Sequence, residues 1–217
     1  AFVAFVVWVP AARRHRSAWT PVAMPRGERR SLLRNPLAWT VTLFFGCQAF
    51  MAYIVMGWLP EVFIDNGVDK MDAGLLVGLT SLIGVPVALV IAPLAARRTS
   101  QSGAIAGLGV LGVAGAIGLM VAPAAHPVLW SVLIGAGMGA FAMALTVIAL
   151  RARTPTDTAQ LSGMAQGLGY LIAGTGPFLF GLLHDVSHGW TVPWLMFLAV
   201  YLVRIAAGVL AGRPRFV

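Results

Sequence analysis

Apolar residues run almost unbroken through six stretches, roughly 37–59, 71–93, 103–122, 127–150, 161–183 and 191–211, and polar residues collect in the short loops between them. At about 1.5 Å of rise per residue, roughly twenty helical residues cross the ~30 Å hydrocarbon core of a bilayer. Each stretch is therefore predicted to be a transmembrane helix, the form in which a chain in lipid satisfies its own backbone hydrogen bonds. A shorter apolar run, AFVAFVVWVP, opens the chain. Residues 1–12 are too few to span, and no small-residue cleavage site follows them, so they read as the tail of a further helix whose start is missing. On this reading residues 13–36 form a connector, 37–211 a six-helix transmembrane bundle and 212–217 a C-terminal tail. The expected fold class is an all-α membrane protein.

The pattern is richest between Leu161 and Trp190. Ala165, Gly169, Ala173, Pro177 and Gly181 recur every four residues, which aligns them on one helix face and predicts close packing against another helix. On a neighbouring face Gln166 and Tyr170 stand one turn apart, and such side chains turn away from lipid towards protein or water. Glycines in the other spans carry the same message: Gly74, Gly78 and the Gly84-Val85-Pro86 kink in the second, Gly103, Gly107, Gly109, Gly112, Gly115 and Gly118 in the third, and the G-x-x-x-G pair Gly135 and Gly139 in the fourth. Their expected role is close helix packing, together with freedom for helices to bend or slide.

Composition removes the soluble alternatives. Hydrophobic residues make up 59% of the chain and charged ones 10%, far from a soluble domain. A formal charge of +8 suggests nucleic acid in a soluble protein, but placement decides otherwise. Apart from Arg204, every arginine lies in 13–36, 94–102, 151–160 or the tail from 212, whereas the intervening loops hold only Lys70 and gather Glu61, Asp65, Asp69, Asp72 and Asp185. The positive-inside rule then places the connector and the C-terminus in the cytoplasm of a bacterial inner or plasma membrane, with the lipid bilayer as partner and no nucleic acid. Trp58, Trp130, Trp190 and Trp194 fall at the predicted outer interface and Trp39 at the inner one. The single cysteine, Cys47, lies within a span, so no disulfide forms within the chain.

Polar residues inside the spans are the candidates for function. Gln48 sits near the middle of the first span, the depth at which secondary transporters bind solute; its amide either contacts solute or bonds another helix. Gln166 and Tyr170 present the same pair of readings. Arg204 is the only charge well inside a span, and with no acid at similar depth its guanidinium is expected to snorkel to the cytoplasmic headgroups. His184 and Asp185, with His188 near, close the fifth span at the outer face, either as a polar helix end or as a proton-coupling or outer-gate site. Their spacing matches no zinc pattern, and no metal or cofactor is called for. No hydrolase set, Walker loop or dinucleotide fingerprint appears. An intramembrane enzyme needs a catalytic cluster at one depth, and a channel subunit needs a filter-like loop or a ring-forming charge; the spans offer neither.

Four segments, in order, carry a resemblance: NPLAWTVTLFFGCQAFMAYIVMGWLPEVF (35–63), AGLLVGL (73–79), ALTVIALRART (144–154) and LSGMAQGLGYLIAGTGPFLFGLLHDVSHGW (161–190). The sequence resembles the C-terminal half of a major facilitator superfamily transporter, and within it the cyanate permease and 2-nitroimidazole transporter family. The resemblance implies twelve helices in two six-helix halves, with the N-terminal half missing from this chain and acting as its partner. It implies a secondary active transporter, not an enzyme, moving a small anion or small polar organic solute by alternating access. The first and fourth spans are then expected to line the central cavity and the third and sixth to lie at the periphery, which raises Gln48 together with Phe45 and Tyr53. Two positions depart from the family pattern. The loop PLAARRTSQSG carries Ala95-Ala96 before Arg97-Arg98, without the acid of the Asp-Arg gate motif, and Met138 stands where glutamine is expected.

Overall fold

A 3-10 turn at Leu32–Arg34 leads into Asn35, whose side-chain oxygen accepts from the backbone N–H groups of Leu37 and Ala38 at 2.9 and 3.4 Å. That cap, with Pro36 at the first helical position, starts α1 (Pro36–Asp65) in the computed structural model, which describes residues 32–217. The expectations for residues 1–12, and for the connector up to residue 31, lie outside the described residues. After α1 come α2 (Lys70–Ala96), α3 (Ser102–Val121), α4 (Pro127–Met138), α5 (Ala140–Arg151), α6 (Pro155–Ser187) and α7 (Thr191–Ala211), with no strand among the described residues. Because α4 and α5 are one span interrupted at Gly139, six segments are long and apolar enough to cross a bilayer, as the hydropathy pattern predicts.

Two helices outrun their predicted limits for local reasons. α1 continues through Pro60 to Asp65 although proline leaves the Met56 carbonyl without its usual donor, because Val62 and Phe63 still bury completely against the bundle. α6 begins at Pro155 rather than near 161: Thr154 Oγ1 accepts from Asp157 N, and Asp157 Oδ2 accepts from Thr154 N, both at 3.1 Å. This reciprocal capping box starts a helix in a stretch too polar to register as membrane-spanning.

α1 occupies the centre, packed chiefly on α6 and α7 and also on α2 and α5. The small-residue stripe of α6 does what its spacing predicts. Ala165, Gly169, Ala173 and Gly181 are buried, and a Cβ built on Gly46 of α1 would stand only 3.2 Å from the Gly169 Cα. Trp58 Nε1 donates to the Pro177 carbonyl at 2.8 Å, fixing the same seam nearer its acidic end. α3 packs on α4 and α7: a Cβ on Gly115 would lie 2.9 Å from Ile134 N, and one on Gly208 would lie 2.7 Å from atoms of Phe44 and Ile105. In lipid, where burying apolar surface between helices gains little, such close van der Waals contact is the main cohesion available.

Trp194, in the first turn of α7, is a core residue, 1% exposed, set edge-on to Phe180 at 5.7 Å and to Phe197 at 5.1 Å. Outward faces remain apolar, with Met71, Leu75, Leu82 and Leu89 on α2 and Leu171, Phe178, Leu182 and Val186 on α6.

Candidate functional site

The interruption of the fourth span organises the middle of the bundle. At the end of α4 the Gly139 N–H bonds back to the Gly135 and Ala136 carbonyls, both at 3.2 Å, and the Ala142 N–H bonds to the Gly139 carbonyl at 3.2 Å, a local tightening of the helix. The two carbonyls between these points meet side-chain donors from other helices. Arg204 Nη1 of α7 donates to the Gly137 carbonyl at 3.2 Å, and Gln48 Nε2 of α1 donates to the Met138 carbonyl at 3.3 Å, with Met138 Sδ at 3.6 Å. Arg204 Nη1 also donates to Gln48 Oε1 at 2.6 Å, a short charge-assisted bond that closes the network across three spans. The Arg204 guanidinium carbon lies 4.4 Å from the Tyr201 ring centroid, and the Tyr201 hydroxyl fits into space left by the missing side chains of Gly112 and Gly137.

This corrects the expectation for Arg204, which does not snorkel. Both Arg204 and Gln48 are 0% exposed. The reason is helical phase: Trp194, Phe197, Tyr201, Arg204, Gly208 and Ala211 are all buried and follow one another at alternating three- and four-residue steps, so Arg204 lies in the inward stripe of α7. Its Nε and Nη2 find no hydrogen-bond partner among the described residues, and no acidic residue lies in the middle of any span. The Gln48 amide, singled out as a solute contact, spends its oxygen on Arg204 and its nitrogen on Met138.

In front of this network lies a cavity of about 290 Å³, bounded by Ala52, Val55 and Met56 of α1, by Thr80, Ser81 and Gly84 of α2, and by Met138, Gly139 and Phe141 at the interruption. The space suits a small molecule. Close approach of α2 makes its wall: a Cβ on Gly135 would stand 2.5 Å from the Thr80 carbonyl oxygen, and one on Gly139 would collide with Val87. The Thr80 and Ser81 hydroxyls donate to the carbonyls of Leu76 and Val77, at 2.9 and 3.2 Å, leaving their oxygen lone pairs as acceptors.

Three of the sequence candidates form an aromatic cluster that does not line the cavity but reaches it through Phe141. Phe45, fully buried, sits 5.5 Å from Phe141 and 5.2 Å edge-on from Tyr170, which stacks in turn on Tyr53 at 6.3 Å and 15°. Tyr53 and Tyr170 are each 40% exposed. Gln166, half-buried, donates to Ser162 Oγ at 2.6 Å within its own helix.

The two ends are built differently. At the acidic end the His184 ring stacks on Trp190 at 3.8 Å and 18°, and Trp190 Nε1 donates to Asp65 Oδ2 at 3.1 Å, while Asp185 and His188 are exposed. At the arginine-rich end Arg151, 3% exposed, donates to Gln101 Oε1 and to the Gly212 carbonyl at 3.4 Å, and Gln101 Nε2 donates to the Ala95 and Arg98 carbonyls at 3.2 and 2.8 Å. The loop that lacks the acid before Arg97 is thus pinned by an arginine and a glutamine that sequence reasoning did not select. Among the described residues no three metal-ligating side chains converge.

Comparison with known proteins agrees with this architecture. The family model of the Major Facilitator Superfamily matches residues 1–173. An uncharacterized transporter, YycB, of Bacillus subtilis (strain 168) is 36% identical over all of this chain and 54% of its own length. A 2-nitroimidazole transporter of Escherichia coli (strain K12) is 37% identical over 98% of this chain and 54% of its own, and the cyanate transport protein CynX of the same organism is 28% identical over 89% and 50%. The chain spans about half the length of the curated relatives it matches.

Proposed function

The chain belongs to the Major Facilitator Superfamily, and from that premise we propose that it forms one six-helix wall of a secondary active permease, whose other wall is a second six-helix half. A small anion or small polar organic solute, cyanate- or nitroimidazole-like, binds in the mid-depth cavity and is exposed to each side in turn as the halves rock. The observation that carries this reading is the cavity against the interrupted fourth span, since broken helices at mid-depth are where transporters of this kind hold solute. Relatives described as transporters of 2-nitroimidazole and of cyanate support the solute class and a transporter rather than an enzyme.

Within the site, Tyr53 and Tyr170 offer stacking faces and hydroxyls, Phe45 holds Tyr170 from behind, Gln166 extends the polar face along α6, and Gln48 fixes the carbonyl at the break. His184 and Asp185 form the outer gate, with His184 clamped on Trp190, and the arginine-rich end together with the C-terminus faces the cytoplasm of the inner membrane. Uptake of labelled cyanate and 2-nitroimidazole into vesicles containing the protein, with and without a pH gradient, tests the reading. Saturable uptake of at least one solute above empty vesicles is expected, and rates equal to empty vesicles for both would refute it.

A further inference from the structure

The wall of the mid-depth cavity is unevenly equipped. The side chains that α1 and the interrupted fourth span bring to it, Met56, Met138 and Phe141 among them, are apolar, while its hydroxyl-bearing side chains, Thr80 and Ser81, both come from α2. α2 is not one of the spans that the family resemblance leads one to expect along the solute path. Neither hydroxyl is free to donate. Thr80 Oγ1 gives its proton to the Leu76 carbonyl at 2.9 Å and Ser81 Oγ to the Val77 carbonyl at 3.2 Å, one turn back along the same helix. A hydroxyl has one proton and two lone pairs, so what each can still do is accept. No charged side chain lines the cavity, and a thioether is a weak acceptor at best. Thr80 is the better placed of the two hydroxyls. It is 3% exposed, on a stretch of α2 pressed so closely to the fourth span that a Cβ on Gly135 would stand 2.5 Å from its carbonyl oxygen. Helix packing therefore fixes the position of this acceptor.

We infer that Thr80, with Ser81 beside it, is a specificity-determining contact of the cavity: it reads a hydrogen-bond donor, an N–H or O–H on the edge of a small planar molecule whose remaining surface rests on Met56, Met138 and Phe141. Thioethers and an aromatic face pack well against a flat, polarizable ring. A donor carried out of water must find an acceptor or lose the bond it had. Thr80 supplies one without giving up its own bond to Leu76. A solute of the same shape with no donor leaves no protein group newly unpaired, so the discrimination is modest, the worth of one neutral hydrogen bond. The inference rests on the permease reading and deepens it, from a class of solute to the group recognised and the residue that recognises it.

Two isomers separate the donor from size. 4-Methyl-2-nitroimidazole keeps the ring N–H, whereas 1-methyl-2-nitroimidazole carries the same added methyl in its place. Each competes with labelled 2-nitroimidazole for equilibrium exchange into vesicles containing the complete two-half permease, at a mildly acid pH on both sides so that the ring nitrogen keeps its proton. Wild type should bind the 4-methyl isomer about three- to tenfold more tightly, the range of a single neutral hydrogen bond. Thr80→Val, which keeps the branched shape without the oxygen, should bring that ratio near one by weakening the N–H compound alone. Thr80→Ser, which keeps the hydroxyl, should retain most of it. Equal affinity of wild type for the two isomers overturns the inference without recourse to any variant. So does a ratio that Thr80→Val leaves unchanged, or an equal collapse in Thr80→Ser, which would trace the effect to packing. Exchange of cyanate with none of the imidazoles also overturns the inference, and in each of these cases the permease reading stands. Absence of saturable exchange for both 2-nitroimidazole and cyanate overturns the two together.

Discussion

Removing Gln48 should damage the protein more than removing Gln48 and Arg204 together. In Gln48→Leu the guanidinium loses its bond to Oε1 at 2.6 Å but stays in place, buried, with only the Gly137 carbonyl and the Tyr201 ring for compensation. A hydrogen bond to a charged group is worth about 1.5–3 kcal/mol and the longer amide bond to Met138 about 0.5–1 kcal/mol. Interhelical hydrogen bonds measured within membranes average only about 0.6 kcal/mol, because the unfolded chain in lipid also finds partners, so the lower part of that range applies. A loss of about 2 kcal/mol is expected. The pair Gln48→Leu with Arg204→Met removes donor, acceptor and buried charge at once, and such replacements are often neutral. The double variant should therefore recover at least about 1 kcal/mol of what Gln48→Leu loses. Thermal unfolding of the purified protein in a single detergent reads this as a midpoint lowered by roughly 4–8 °C for Gln48→Leu and partly restored in the double variant. A double variant less stable than Gln48→Leu, or a coupling energy within error of zero, refutes the claim that these two side chains stabilise one another.

Two further outcomes follow from packing and charge. Gly135→Ala should lower stability by about 1–3 kcal/mol, since its Cβ would meet the backbone oxygen of Thr80 at 2.5 Å and α2 has to move, whereas Gly163→Ala, with nothing within 4 Å, should be neutral or slightly stabilising; equal midpoints for the two would contradict the close α2–α4 contact. A reporter joined after Val217 by a flexible linker should be active as a cytoplasmic fusion and inactive as a periplasmic one, and the reverse pattern would overturn the orientation read from the arginines.

The resemblance of the chain to a transporter half was legible because its carriers are local or ordered along the sequence. Span number follows from hydropathy, and the close-packing face of α6 from Gly and Ala at four-residue spacing. Phe45, Tyr53 and Tyr170 were selected in sequence and do meet in space. The start of α6 was also written in the chain, in Thr154 and Asp157, but a hydropathy reading passes over it because a capping box is polar.

Arg204 marks the boundary between the two kinds of information. The stripe from Trp194 to Ala211 was present in the sequence and would have turned Arg204 inward had phase been weighed above charge. What no local pattern supplies is the acceptor waiting there. Gln48 lies 156 positions away, and the carbonyls of Gly137 and Met138 become acceptors for side chains only where the fourth span breaks. Sequence by itself determines which segments enter lipid and which faces pack closely, because hydropathy and helical period act over a few turns. Which polar groups satisfy one another at mid-depth was decided by tertiary structure alone, because in a medium without water the partner must come from another helix, and only the packed bundle brings it within 3 Å or so.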